Sequence, residues 1–378
     1  MKALVLADVP SPHQNAFFDA VAQLGEVDLE VLFSRRTMPG RAWSGEGPRL
    51  AKHRFLRSVD VRGVPVAPQM LPEVLAAPEA MPVLIGWYLP GLFATGLALG
   101  ALRRPWIFWT DSLPPPKKGE PVRRRLVRRW FLDRSTLSLS TGEAGRQALM
   151  AHGVPPARAF GLPFVVDQEA IRRGVAAELP HRDELRSELG VPAGARALLY
   201  VGQMIRRKGI DVLLDALALQ LRRGPAPFLL LLGEGADLAE FKAQAKRLGV
   251  EGSVRFLDYV DNSKLPRFWA AADAFVLPSR FDPWGVVVLE ALIAGLPVIG
   301  TDSCGAVRDL IAPQNGFRCA AGDVIGLADA LQGLMSADLS AMAAAARASA
   351  VPLEPLQIAR GFTRVLYEAQ RLHRETSP

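Results

Sequence analysis

The sequence predicts an α/β protein of two doubly wound domains, each a parallel sheet covered by helices. Three observations predict it. Short apolar runs alternate with amphipathic stretches of helical period. The alternation occurs twice, before and after a polar stretch at residues 165–190. The length of 378 residues suits two domains, at roughly 150 residues each.

In the first half, strands are expected at residues 3–7, 29–33, 83–86, 106–109 and 137–140, with helices at 16–24 and 142–152. The stretch 165–190 carries no strand pattern and reads as a linker plus a lead-in helix. Strands then follow at 197–201, 228–232, 254–257, 274–277 and 297–300, with helices at 210–222, 237–248 and 283–294. A last amphipathic helix is expected at 354–374. The domain plan is therefore 1–170, then 171–353, then a C-terminal helix in 354–378 that packs back on the first domain. Ligands of such sheets sit beyond the carboxyl ends of the strands, so function is expected in a cleft between the two domains.

Composition excludes several classes. Hydrophobic residues make up 49% and charged residues 22%, enough for a large core and against general disorder. Cys304 and Cys319 are the only cysteines, too few for a disulfide framework or a thiolate metal cluster. The 5 histidines lie singly, without metal-ligand spacing, so no metal site is expected. Residues 83–102 form an uncharged run of twenty, long enough to cross a membrane. Pro90 and Gly91 divide it into a strand-like and a helix-like half, which favours a buried strand–helix unit. The N-terminus has no leader-like apolar run, so a cytoplasmic location is expected, peripheral on the membrane face at most.

The net charge of +7 is unevenly placed. Residues 103–134 hold 10 basic and 3 acidic side chains, a local excess of +7. A helix over 117–134 would carry arginines beside Leu126, Val127, Trp130, Phe131 and Leu132, suiting an anionic membrane surface or a lipid diphosphate. No established nucleic-acid motif accompanies it, so no nucleic acid is expected.

Motif absences narrow the chemistry further. The first strand is not followed by GxGxxG, and there is no P-loop and no GxSxG elbow. No Asp-x-Asp pair is present, which disfavours a metal-dependent nucleotide-sugar site.

The segment SRFDPWGVVVLEALIAGLPVIGTD, residues 279–302, is the most informative. A helix starting near Trp284 or Gly285 offers backbone N–H groups at Trp284, Gly285 and Val286, a ready anion site. Asp282 precedes it and Glu290 lies about two turns inside, so a phosphate at the helix start would have a carboxylate on each side. The alternative is a helix cap at Asp282 and a satisfied or exposed Glu290. Upstream, YVGQMIRRKGIDVLLDAL (200–217) is a strand, loop and helix with Lys208 and Gly209 at the helix mouth.

These two segments resemble retaining glycosyltransferases of family 4, which have the GT-B fold. Asp282 and Glu290 stand where the family has its E-x7-E pair, and Gly202, Gln203, Lys208 and Gly209 match its G-R-x-x-x-x-K-G loop. The resemblance implies that Glu290 contacts the donor ribose, Asp282 the donor hexose hydroxyls, and Lys208 the diphosphate. Gln203 replaces the usual arginine, so Arg206 or Arg207 would compensate. Gly233, in the turn Gly233-Glu234-Gly235, and Tyr259 fall near the donor by the same resemblance. In the first domain it places the acceptor, with His13 in the loop after strand one and Asp111 orienting a hydroxyl.

The expected activity is metal-independent retaining transfer of a hexose from a nucleotide diphosphate sugar, UDP or GDP rather than ADP, to a saccharide or lipid-linked acceptor. No cofactor is expected beyond that donor substrate. An epimerase on the same fold and a non-enzymatic basic binder are the alternatives.

Overall fold

The computed structural model describes residues 1–38, 45–61, 64–111, 113 and 120–376. Ser112 and residues 117–119 of the basic run lie outside the described residues. The chain divides into two compact units, one of Met1–Asp167 with Leu353–Pro378, the other of Gln168–Pro352.

The first unit holds a seven-stranded sheet. In chain order its strands are β1 (Lys2–Ala7), β2 (Asp28–Phe33), β3 (Lys52–Phe55), then, after the hairpin β4 (Val59–Val61) and β5 (Val64–Val66), β6 (Met81–Ile85), β7 (Ile107–Thr110), β8 (Leu137–Thr141) and β9 (Ala159–Leu162). The spatial order is β3-β2-β1-β6-β7-β8-β9, every pair parallel. Its helices are α1 (Pro12–Leu24), α2 (Met70–Ala76), α3 (Pro90–Ala101), α4 (Val122–Arg134), α5 (Gly142–Ala151) and, from the chain's end, the helix Pro355–Thr376. That last helix packs on α1, where Phe362 meets Phe17 at 5.2 Å and Trp109 at 5.8 Å between ring centroids.

The uncharged run at 83–102 is β6 followed by α3. Two glycines explain why α3 stays inside the fold. A side chain at Gly96 would strike the Phe131 ring at 2.5 Å, and one at Gly100 the Trp130 ring at 2.6 Å, so α4 packs close against α3. Among the described residues no helix is long and apolar enough to cross a membrane.

The second unit holds a six-stranded sheet of β10 (Ala197–Val201), β11 (Phe228–Leu232), β12 (Val254–Leu257), β13 (Ala274–Leu277), β14 (Val298–Thr301) and β15 (Gly316–Cys319). The order is β12-β11-β10-β13-β14-β15, again all parallel. The helices are α6 (Gln168–Glu178), α7 (Arg182–Glu188), α8 (Ile210–Arg223), α9 (Leu238–Leu248), α10 (Leu265–Ala271), α11 (Val286–Ile293), α12 (Gly305–Leu310), α13 (Val324–Ser336) and α14 (Leu339–Ala350); the final helix of the chain is α15. Strand order reverses between β10 and β13, so the carboxyl ends of these two strands flank the switch point where such sheets bind ligands.

The polar stretch read as a linker plus a lead-in helix carries two helices, α6 and α7. Arg182 and Arg186 both pair with Asp273 just before β13, at 2.6 and 2.9 Å, which fastens the segment to the second unit. Helix α1 starts four residues earlier than expected, because Ser11 caps it and Pro12 takes the first helical position. His13 is thus on a helix and not in a loop.

Candidate functional site

Four strand-to-helix turns meet at the carboxyl edge of the second sheet, and glycines let them touch. A Cβ on Gly233 would lie 2.0 Å from the Gly202 carbonyl oxygen, and one on Gly235 2.3 Å from that of Met204. The Met204 N–H donates to Glu234 O at 2.7 Å, joining the turns after β10 and β11. Gly209 sits in the left-handed region with φ 71°, its Cα facing Pro278 O, where a Cβ would come within 2.0 Å. This contact joins the turns after β10 and β13. Gly209→Ala is expected to cost about 3 kcal/mol or more, combining left-handed strain with the clash. A wild-type urea midpoint for that variant would show that the loops need not approach.

The approach brings Lys208 onto Asp282. The Lys208 ammonium donates to Asp282 Oδ2, and both side chains are largely buried. Asp282 also forms an isolated parallel bridge with Cys304, while the Cys304 thiol donates to Trp284 O at 2.8 Å. Burial and the neighbouring Asp282 carboxylate push that thiol up to about 12, so Cys304 serves as an uncharged packing and donor group. Burial is also the first cause raising Tyr200, with the Asp282 charge second; its hydroxyl donates to Gln203 O at 2.8 Å.

Helix α11 begins at Val286, three residues later than the earliest expected start, with Gly285 as cap at φ 86°. A Cβ there would meet Cys304 Sγ at 2.6 Å. The first-turn N–H groups of α11, from Val286 on, therefore emerge beside the Lys208–Asp282 pair. The Trp284 side chain points the other way: it is fully buried, its indole donating to Asp309 at 3.2 Å.

Glu290 is the most unusual group here. It lies in the second turn of α11, among Val288, Leu289, Ala291 and Leu292, all fully buried. Among the described residues its carboxyl has no hydrogen-bond or ion-pair partner. Burial pushes it up to about 7. The side chain is half-buried, so its carboxyl stays open to a ligand while its apolar neighbours disfavour the charged form.

The remaining expected residues are spread around this centre. Gln203 is exposed, and its carbonyl accepts from the Tyr200 hydroxyl. Arg206 is exposed but committed: its N–H binds Asp237 at 2.7 Å and its guanidinium binds Glu240. Arg207 donates to Phe281 O at 2.8 Å, tying one loop to the other. Tyr259 is 51% exposed, just past the end of β12. In the first unit, His13 Nε2 lies 3.2 Å from Ser11 Oγ and its ring 4.4 Å from Phe164. Asp111 follows β7 with burial pushing its carboxyl up to about 6.

Sequence reading missed the rim of the site. Arg280 grips Asp211 through two hydrogen bonds of 2.6 and 2.7 Å and donates to Arg206 O at 2.7 Å. It also missed the Asp8–Arg35 pair of the first unit, at 2.8 and 2.7 Å, where Ser34 adds a third donor. These partners are far apart in sequence, and no local spacing announces them.

Among the described residues, no group of three or more His, Cys, Asp or Glu side chains could hold a metal ion. Residues 181–350 match the family described as glycosyl transferases group 1. A lipopolysaccharide core biosynthesis glycosyltransferase, LpsE of Rhizobium meliloti, is 35% identical over 151 residues, 40% of this chain and 43% of its own length. Glycogen synthase of Mycobacterium tuberculosis is 33% identical over 189 residues, covering 49% of this chain and 45% of its own. The chain thus matches less than half the length of either relative. The solved Anabaena protein Alr3699/HepE, in complex with UDP, superposes with a TM-score of 0.73 at 19% identity, covering 97% of this chain and all of that one. The two doubly wound parallel sheets are those of the GT-B fold.

Proposed function

We propose that the protein is a retaining, metal-independent glycosyltransferase of the family 4 type. It moves a hexose from a nucleotide diphosphate sugar to a saccharide or lipid-linked acceptor. The observation that carries the reading is the half-buried Glu290 carboxyl, without a hydrogen-bond or ion-pair partner among the described residues, one helix turn from an anion-ready helix start and the Lys208–Asp282 pair. The family match supports it, and so does the Anabaena neighbour, which has been solved with UDP, with UDP and glucose, and with UDP-glucose.

In this reading the donor diphosphate lies against the α11 start, where the first-turn amides and Lys208 stabilise the charge that develops as the sugar departs. Asp282 accepts hydroxyls of the hexose, and Glu290 accepts both ribose hydroxyls. The acceptor proton passes to the leaving phosphate oxygen, so no side-chain base is required. Arg280 and Asp211 hold the two loops in register and stay outside the chemistry. In the first unit, Asp111 orients a hydroxyl.

UDP is the preferred donor nucleotide, with GDP next. A thermal-shift series with UDP-, GDP- and ADP-sugars is expected to raise the unfolding temperature most with a UDP-sugar, without added metal. No shift with any nucleotide sugar, with or without magnesium, would overturn the reading.

A further inference from the structure

Helix α4 presents its arginines differently from the sequence expectation. Phe131 and Leu132, at 0% and 3% exposure, face the core, with Trp130 against α3. Arg128 is buried too, held by Glu120 at 2.6 and 2.5 Å. The apolar body of the helix is therefore spent on the fold. Two aliphatic side chains are left on the opposite side: Val122 and Leu126 are 59% and 60% exposed.

At 3.6 residues per turn, Val122, Leu126, Arg129 and Asp133 share one outward stripe. Arg125 flanks it on one side, Arg123 and Arg134 on the other. Arg123, Arg124, Arg125, Arg129 and Arg134 are all exposed, against Asp133 as the one exposed acid of the helix. That acid is spoken for by Arg129 at 3.2 Å. Leu102 at the end of α3, 60% exposed, and the neighbouring exposed Arg103 extend the same composition.

We infer that the outer face of α4 docks the protein on an anionic phospholipid surface, Val122 and Leu126 entering the headgroup layer while the flanking arginines meet lipid phosphates. The chemistry is complementary on both counts. Exposed branched aliphatics gain from leaving water, and guanidinium groups on both flanks gain from a plane of negative charge. A protein partner of ordinary size would need a larger apolar area than two side chains supply.

The test is flotation of the full chain with vesicles of phosphatidylcholine alone and of phosphatidylcholine mixed with phosphatidylglycerol. Binding is expected to the anionic vesicles only, and to fall steeply with added salt. Charge reversal at Arg123, Arg125 and Arg129 together should lower partitioning by on the order of 100-fold. Leu126→Asp, a change at an exposed position, should weaken binding more than Leu126→Ala. The UDP-sugar thermal shift should be unchanged in all these variants, which separates this inference from the proposed function. Four outcomes overturn it: no binding to anionic vesicles at low salt, equal binding to neutral ones, binding to duplex DNA with vesicles ignored, or a dimer that Leu126→Asp splits while vesicles are ignored.

Discussion

Lys208→Ala is expected to lower sugar transfer by about 100- to 1,000-fold, the loss seen when a pre-placed charge at a developing anion is removed. The effect should fall on kcat, because the lysine matters most as the diphosphate gains negative charge. The KM for the acceptor should stay within about twofold, since the acceptor does not touch this loop in the proposed arrangement. A second consequence follows from the ion pair. Asp282 is only 8% exposed, so deleting the ammonium strands a buried carboxylate. Lys208→Ala should therefore also lose about 2–4 kcal/mol of stability. Asp282→Asn in the same chain should restore much of that stability and none of the activity. The double variant thus separates folding from chemistry. Full turnover in Lys208→Ala at normal stability would mean that another group carries the charge, with Arg207 the nearest cation on the same turn.

Much of this arrangement is legible in the sequence, for identifiable reasons. The ten strands expected from apolar runs all form; nine are central and mostly buried, as parallel strands require, while β12 lies at the edge of its sheet and is legible from its Val254, Phe256 and Leu257. The strands that were not foreseen lie on the margins. β3 reads Lys52-His53-Arg54-Phe55, a charged edge held by cross-strand pairs such as Arg54 with Glu30 at 2.7 Å. β9 and β15 are four residues each and contain a glycine, which mutes the pattern. The loops show the same division. Gly209, Lys208, Asp282 and Gly285 stand out because turn chemistry is local. Arg280 on Asp211, and the thiol of Cys304 on Trp284, depend on which turns become neighbours, and that is set by strand order. Asp282 with a cap role and Glu290 satisfied or exposed was a fair reading of the sequence alone. Only the packing reveals that Asp282 is given to Lys208 and that the half-buried Glu290 has no donor among the described residues.

Glu290→Gln is expected to make the protein more stable and worse at holding nucleotide, and the pH dependence shows why. The carboxyl ionises at about 7 in the folded chain, above its ordinary value of 4.5, because burial disfavours the charged form. The folded state therefore binds more protons than the unfolded one between these limits. Stability is greatest below the unfolded value and falls as pH rises toward 7, after which the full penalty is in force. Glutamine cannot ionise, so the variant escapes the penalty. It should gain about 1–3 kcal/mol at pH 8, and several degrees in unfolding temperature, but almost nothing at pH 4.5. Nucleotide binding should move the opposite way, weakening about 10- to 100-fold at pH 8, because an amide replaces a charged acceptor of two ribose hydroxyls. In the wild type, the same carboxylate must be ionised to serve them, so UDP affinity should rise between pH 6 and 8, and this rise should vanish in the variant. Calorimetric titration and thermal unfolding at both ends of the range measure all of this. If the stability gain were equal at pH 4.5 and 8, Glu290 would be solvated after all. If affinity were untouched, the carboxylate would face away from the ligand, and the assignment of α11 as the donor-binding helix would fall with it. Lower stability joined to tighter function is the pattern of a residue kept for its ligand and not for the fold.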